Sequence, residues 1–173
     1  MSLVDMIRFG MLLMAFSLVA CQETQEISSI HPINWEGRTV TNLSSDSLET
    51  GTTYLSVYSQ IYSDTEHRTH DLTATISMRN TSGKDTVFVS RATYFDTHGE
   101  LIRTYFDKPI FLAPMETVEI VIDERDKEGG TGANFIFDWQ KSSTANEPLF
   151  EAVMISTSGS QGLSFSTQGK RVD

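Results

Sequence analysis

From residue 54 to residue 167 apolar side chains recur at every second position, in short runs separated by turn residues, with no helical period of useful length. Leu72, Ala74, Ile76 and Met78 alternate with Thr73, Thr75, Ser77 and Arg79. Successive side chains of a strand point to opposite sides, so such a run has one apolar face and one polar face. Val118, Ile120 and Ile122 repeat the pattern, as do Phe135, Phe137 and Trp139. Strands of this kind must bury their apolar faces against one another. About eight short strands with turn signals every ~8–12 residues predict an all-β fold, an antiparallel immunoglobulin-like β-sandwich, with a small barrel as the alternative.

The turn chemistry agrees. Asn80-Thr81-Ser82-Gly83-Lys84-Asp85 separates two strand patterns, and Asp96-Thr97-His98-Gly99 predicts a tight hairpin with Gly99 at positive φ. Pro109 and Pro114 bracket Ile110-Phe111-Leu112, which suits an edge or crossover segment. Tyr54, Tyr58 and Tyr62 alternate with Leu55, Val57 and Ile61 and are expected as a stripe on one sheet face.

The N-terminus carries a different signal. One cation, Arg8, precedes an apolar run over residues 9–20, broken only by Gly10 and Ser17. That is the length of a signal-peptide core and short of the ~20 residues needed to span a bilayer. Asp5 does not fit a positive leader, and translation from Met6 would remove it. The run closes on Leu18-Val19-Ala20-Cys21, which resembles the lipobox of bacterial lipoproteins. The resemblance implies cleavage before Cys21, lipidation of its thiol with palmitate-type chains, and a stable membrane anchor. Cys21 is the only cysteine, so a mature chain would have no thiol left for disulfides, metals or catalysis. Gln22, where an Asp would signal inner-membrane retention, points to the periplasmic face of an outer membrane.

The expected organisation is therefore a signal peptide (1–20), a flexible Ser/Thr/Glu-rich tether (21–51) with a piece docked around Ile33 and Trp35, a sandwich (52–168) and a frayed tail (169–173). A net charge of −10 argues against nucleic acid as a partner, because phosphate binding needs a basic field. Arg68 and Arg79 are expected to bridge Asp71 or Asp96.

Several stretches together resemble one bacterial family, domain of unknown function 3124. They are Arg68-Thr69-His70-Asp71-Leu72, Ser77-Met78-Arg79-Asn80-Thr81, Tyr94-Phe95-Asp96 with Gly99 and Leu101, and Leu112-Ala113-Pro114-Met115. Gly129-Gly130-Thr131-Gly132-Ala133-Asn134-Phe135 with Trp139, and Glu147-Pro148 with Glu151-Ala152-Val153-Met154, continue the match over roughly residues 53–167. The resemblance implies an envelope-located, often lipidated domain and no particular reaction.

Two stretches are candidate sites. In the first, Gly129, Gly130 and Gly132, flanked by Asp126 and Asn134, let backbone N–H groups converge on a ligand. A strand rather than a helix follows, and the acidic neighbours would repel an anion, so a long turn is the simpler role. The second is His67 with His70, an i, i+3 pair suited to a metal only if the fold turns both inward. No Gly-x-Ser-x-Gly or His-Glu-x-x-His occurs, and neither an enzymatic activity nor a cofactor is expected. The leading expectation is a lipid-anchored, non-enzymatic envelope module that binds a protein partner. A small-ligand or metal-binding domain comes second, and an enzyme third.

Overall fold

In a computed structural model of the chain, residues 33–43, 47–157 and 162–173 are described. The expectations for residues 1–32, Cys21 included, lie outside that set. Among the described residues one short 3-10 turn, Glu36–Arg38, precedes twelve strands, and no helix is long and apolar enough to cross a membrane.

The strands are β1 (Leu48–Val57), β2 (Gln60–Tyr62), β3 (Thr69–Asp71), β4 (Thr73–Arg79), β5 (Val87–Phe95) and β6 (Leu101–Phe106). They continue with β7 (Ile110–Leu112), β8 (Thr117–Ile122), β9 (Ala133–Ser142), β10 (Leu149–Ser156), β11 (Leu163–Gln168) and β12 (Lys170–Arg171). One sheet runs β12-β1-β9-β5-β6, with β7 also paired to β5. The second runs β11-β10-β4-β8, and β2-β3 forms a separate hairpin. Every pairing is antiparallel. Neither sheet closes on itself, so the architecture is a β-sandwich and the barrel alternative falls.

β4 pairs with β8 in one sheet while β5 pairs with β9 in the other, the interlocked pairs of a Greek-key sandwich. The outer strands complete it by placing β1 beside β9 and β10 beside β4. The alternation read from the sequence is the inner face: Leu72, Ala74, Ile76, Met78, Phe135 and Phe137 are fully buried. Aromatic rings cross the core in contact. Tyr94 stacks on Phe135 at 4.7 Å, Phe135 on Phe137 at 5.4 Å, and Phe137 on Phe150 of the opposite sheet at 4.4 Å. Removing such a ring costs about 3–5 kcal/mol, so this column joins the two sheets energetically.

Several expectations are corrected. The tyrosines do not form one stripe. Tyr54 points outward from β1, Tyr58 leans on Phe165 at 5.7 Å, and Tyr62 is exposed on the β2–β3 hairpin. The strand ends after Val57 because the N–H groups of Ser59 and Gln60 both donate to the Gly130 carbonyl and divert the chain. The hairpin, β7 and β12 account for the strands beyond eight.

The strand region begins earlier than residue 52, and the piece expected to dock around Ile33 and Trp35 does pack on the domain. β1 starts at Leu48, and Trp35 packs on Phe106 at 4.7 Å. Thr39 bridges Ile110, the Val40 N–H donates to the Pro109 carbonyl, and Arg38 pairs with Glu116 at 2.7 Å. This clamp covers β7, the exposed edge that the two prolines announce. The C-terminal residues are also engaged: β12 pairs with Thr53 and Tyr54, and Arg171 bonds Glu147 and Asp173. Arg68 pairs with Asp64, four residues away, and Arg79 with Glu151 across the sheet, not with Asp71 or Asp96. Asp71 pairs with Lys127, and Asp96 accepts the N–H groups of His98 and Glu100 at its own turn.

Candidate functional site

Strand register defines two ends of the sandwich. Val57 lies opposite Ala133, and Phe95 opposite Asn134, so the β2–β3 hairpin, the 96–99 turn and the 123–132 loop gather at one end. The glycine loop and the histidine hairpin, far apart in sequence, therefore share a location. The Lys127 ammonium and the Asp71 carboxylate join them at 2.6 Å. That bond, foremost, holds the Asp71 carboxyl below its usual range.

The glycines are explained by what crowds them. A Cβ on Gly129 would stand 2.7 Å from the Ser59 hydroxyl and closer still to that of Tyr94. Gly130 adopts φ +66°, a conformation L side chains rarely take. One hydroxyl then closes the loop: Thr97 Oγ1 donates to the Gly129 carbonyl at 3.0 Å and accepts the Gly132 N–H at 2.9 Å. The N–H groups of Asp126 and Gly130 go to the carbonyls of Asp123 and Lys127. That of Glu128 goes to the Asp126 carboxylate. An anion cradle needs such groups free and pointing outward. Here four of them are spent on the protein's own atoms.

Beneath the loop lies a buried polar cluster. Asp126 is only 4% exposed, and Arg103 donates to it at 3.2 Å while also reaching Tyr105 at 3.0 Å and Glu128 at 3.0 Å. Burial opposes the Arg103 charge, but Tyr105 and Asp126 outweigh it and raise its pKa. Tyr94 shares a 2.9 Å hydrogen bond with Ser59, and burial pushes its hydroxyl well above the ordinary tyrosine range. Tyr105 is raised for the same reason. Both phenols therefore stay neutral at physiological pH, and the cluster is a paired, satisfied network.

Asp126 thus turns inward as an ion-pair partner, and Asn134 sits within β9 between Ser56 and Phe95. His70 sits within β3 opposite Ile61, while the His67 side chain is 84% exposed. Among the described residues no group of three or more His, Cys, Asp or Glu is placed to hold a metal. Sequence reading missed Thr97, Ser59, Tyr94, Arg103 and Tyr105. The glycine spacing signalled a close approach at this loop but not its partners.

The opposite end is built on Asn80, buried in the turn after β4. Its amide donates to the carbonyls of Asp85, Leu112 and Ala113, and its oxygen accepts the Ser82 N–H at 2.9 Å. An open groove of about 340 Å³ lies near it, lined by Thr81, Glu147, Pro148, Phe150 and Arg171 among others. Arg171 is engaged there with Glu147 and lies over the Trp139 ring at 5.1 Å.

Fold and site together define an antiparallel β-sandwich domain with a clamped sheet edge and a glycine loop closed by the Thr97 hydroxyl of the neighbouring turn. The chain belongs to the DUF3124 family, described as proteins of unknown function, whose model matches residues 50–172. No curated protein matches it. Among solved structures, the crystal structure of Thermotoga maritima 1070 aligns with 9% identity and a TM-score of 0.43, over 69% of this chain and 92% of that one.

Proposed function

We propose that the protein is a lipid-anchored component of the bacterial cell envelope whose sandwich acts as a non-enzymatic interaction module. The observation that carries this is Cys21, the sole cysteine, closing the apolar run 9–20. One diacylglyceryl group plus an N-acyl chain buries enough CH₂ groups for stable attachment, where one chain alone binds reversibly. Gln22 supports the periplasmic face of the outer membrane as its address. A satisfied polar cluster and a self-bonded loop suit a rigid platform for a protein partner.

The anchor is tested with Cys21→Ser. The wild type should label with palmitate and sediment with membranes, and the variant should do neither. Wild type that takes no label rules out the anchor. In vivo crosslinking with mass spectrometry tests the partner: repeated recovery of one envelope protein is expected, and none in replicate experiments counts against the module.

A second reading, a small-ligand or metal-binding domain, has one observation in its favour: the His70 hairpin and the Gly129–Gly132 loop share one end. Calorimetric titration with Zn²⁺ and Ca²⁺ decides it, and absence of binding at millimolar ion removes the metal version.

A further inference from the structure

A strand at the edge of a sheet offers unpaired N–H and C=O groups to any passing chain, and folds blunt such edges. Four of the five edges here are blunted. β7 is covered by Thr39 and Val40. β6 pairs with β5 through two register shifts, an irregularity that twists an edge away. β1 is capped by β12, itself only two residues long. β11 turns toward β1, with the Thr167 hydroxyl on the Ser56 carbonyl at 2.6 Å and Phe165 against Tyr58. β8 has none of these devices. Thr117–Ile122 contains no Pro, Lys or Gly and keeps unbroken register with β4. Every second residue of such a strand directs its N–H and C=O away from the neighbouring strand. Among the described residues, β8 pairs with β4 alone and no loop or turn bonds to its backbone.

The charge along this edge selects what can pair with it. From Pro109 to Glu124 there is no Lys or Arg, whereas Glu116, Glu119, Asp123 and Glu124 are acidic. Arg38 compensates Glu116, and Arg125 compensates Asp123. Glu119 is exposed at mid-strand with the Ser77 hydroxyl at 3.2 Å as its partner, and neither it nor Glu124 has an ion pair among the described residues. A second copy is therefore the wrong occupant. In either register that keeps the inner faces together over most of the strand, a two-fold axis sets Glu119 opposite or diagonal to its own copy, and like charges so placed repel. Each copy also carries −10. Glu119 thus closes the edge to this chain and leaves it open to a cationic one.

We propose that β8 accepts an extended segment of a partner protein as an added strand, a segment that alternates apolar residues with cations and pairs one cation with Glu119. Main-chain bonds supply the affinity of such additions, and alternate side chains supply the specificity. The apolar positions continue the inner row of Val118, Ile120 and Ile122, while the cations fall on the outer face with Glu119. The inference gives the interaction module its docking surface and rests on that reading of the domain.

The test titrates the full chain, in nanodiscs of neutral phosphatidylcholine, with a short blocked peptide alternating valine with lysine and with its valine–glutamate counterpart. The lysine peptide should bind and slow amide exchange in β8 while leaving β6 and β11 unchanged. Glu119→Lys should weaken that binding by on the order of tenfold. The same variant should come to prefer the glutamate peptide, which also shows that it is folded. Binding of neither peptide, equal binding of both, or protection at another edge overturns the proposal. So does a wild-type dimer that protects the β8 amides, because a second copy then holds the edge. In each of these cases a partner recovered by in vivo crosslinking leaves the module standing. Recovery of none removes the module, and the role of this edge with it.

Discussion

The indole N–H of Trp139 donates to the Thr53 hydroxyl at 2.9 Å, and its ring occupies the space that any side chain at Gly51 would need. Gly51 lies directly opposite Trp139 in the β1–β9 ladder. Gly51→Ala should therefore destabilise the fold by about 1–3 kcal/mol through overpacking. Thr53→Val, which keeps the shape and strands a buried indole N–H, should cost about 1–3 kcal/mol. Urea unfolding followed by Trp fluorescence measures both, and an unchanged midpoint in Gly51→Ala would contradict the packing.

Thr97 closes the glycine loop with one hydroxyl that donates to Gly129 and accepts from Gly132. Thr97→Val removes both bonds and should cost about 1–3 kcal/mol. Hydrogen exchange should quicken at Gly132 and its neighbours while the β4 and β10 amides stay protected. Exchange that quickens evenly across both sheets would show that the loop is not a local unit.

The Arg38 bond, foremost, holds Glu116 below the ordinary carboxyl value of 4.5. A folded-state pKa that is depressed contributes stability present above the unfolded value and lost as pH falls through the folded one. Wild type should thus lose denaturant resistance below about pH 4.5, and Arg38→Gln should flatten part of that loss. Superimposable pH profiles of the two proteins would sink the claim.

Trp35 packs on Phe106, and the clamp adds Thr39 and Val40 to the β7 edge. Trp35→Ala should cost about 1–3 kcal/mol, below the range for a fully buried ring because Trp35 is half-buried. It should also expose the 33–43 stretch to limited proteolysis. Resistance of Trp35→Ala equal to that of wild type would disprove that the clamp is what protects it.

Asn80 serves three carbonyls and one N–H from a buried position. Asn80→Ala leaves those groups unpaired and should cost on the order of 3 kcal/mol, more than a surface turn position would. A calorimetric melting temperature reads this, and a shift within error would show that water replaces the amide.

Some of this was legible in the residues because strand faces obey a local rule. The inner positions of β4, β8 and β9 follow from a period of two, the Gly99 turn from its composition, and the edge character of β7 from its flanking prolines. The glycine loop drew notice for its spacing, yet its purpose depends on Thr97, Ser59 and Tyr94, residues that lie 30 or more positions away. Arg68 and Arg79 had many acidic residues within sequence reach; the hairpin loop gives Arg68 to Asp64, and the β4–β10 register gives Arg79 to Glu151.

The side of each strand that turns inward belongs to the sequence alone, because it is set by neighbours a few residues apart. Which strand lies beside which was decided in three dimensions. β1 settled against β9, β10 against β4, and the docked stretch around Trp35 found its place on Phe106 and the β7 edge. Alternation fixes a face but carries no address for its partner. That address comes from packing, where Trp139 needs the empty space at Gly51 and the Thr53 hydroxyl, and one register alone supplies both.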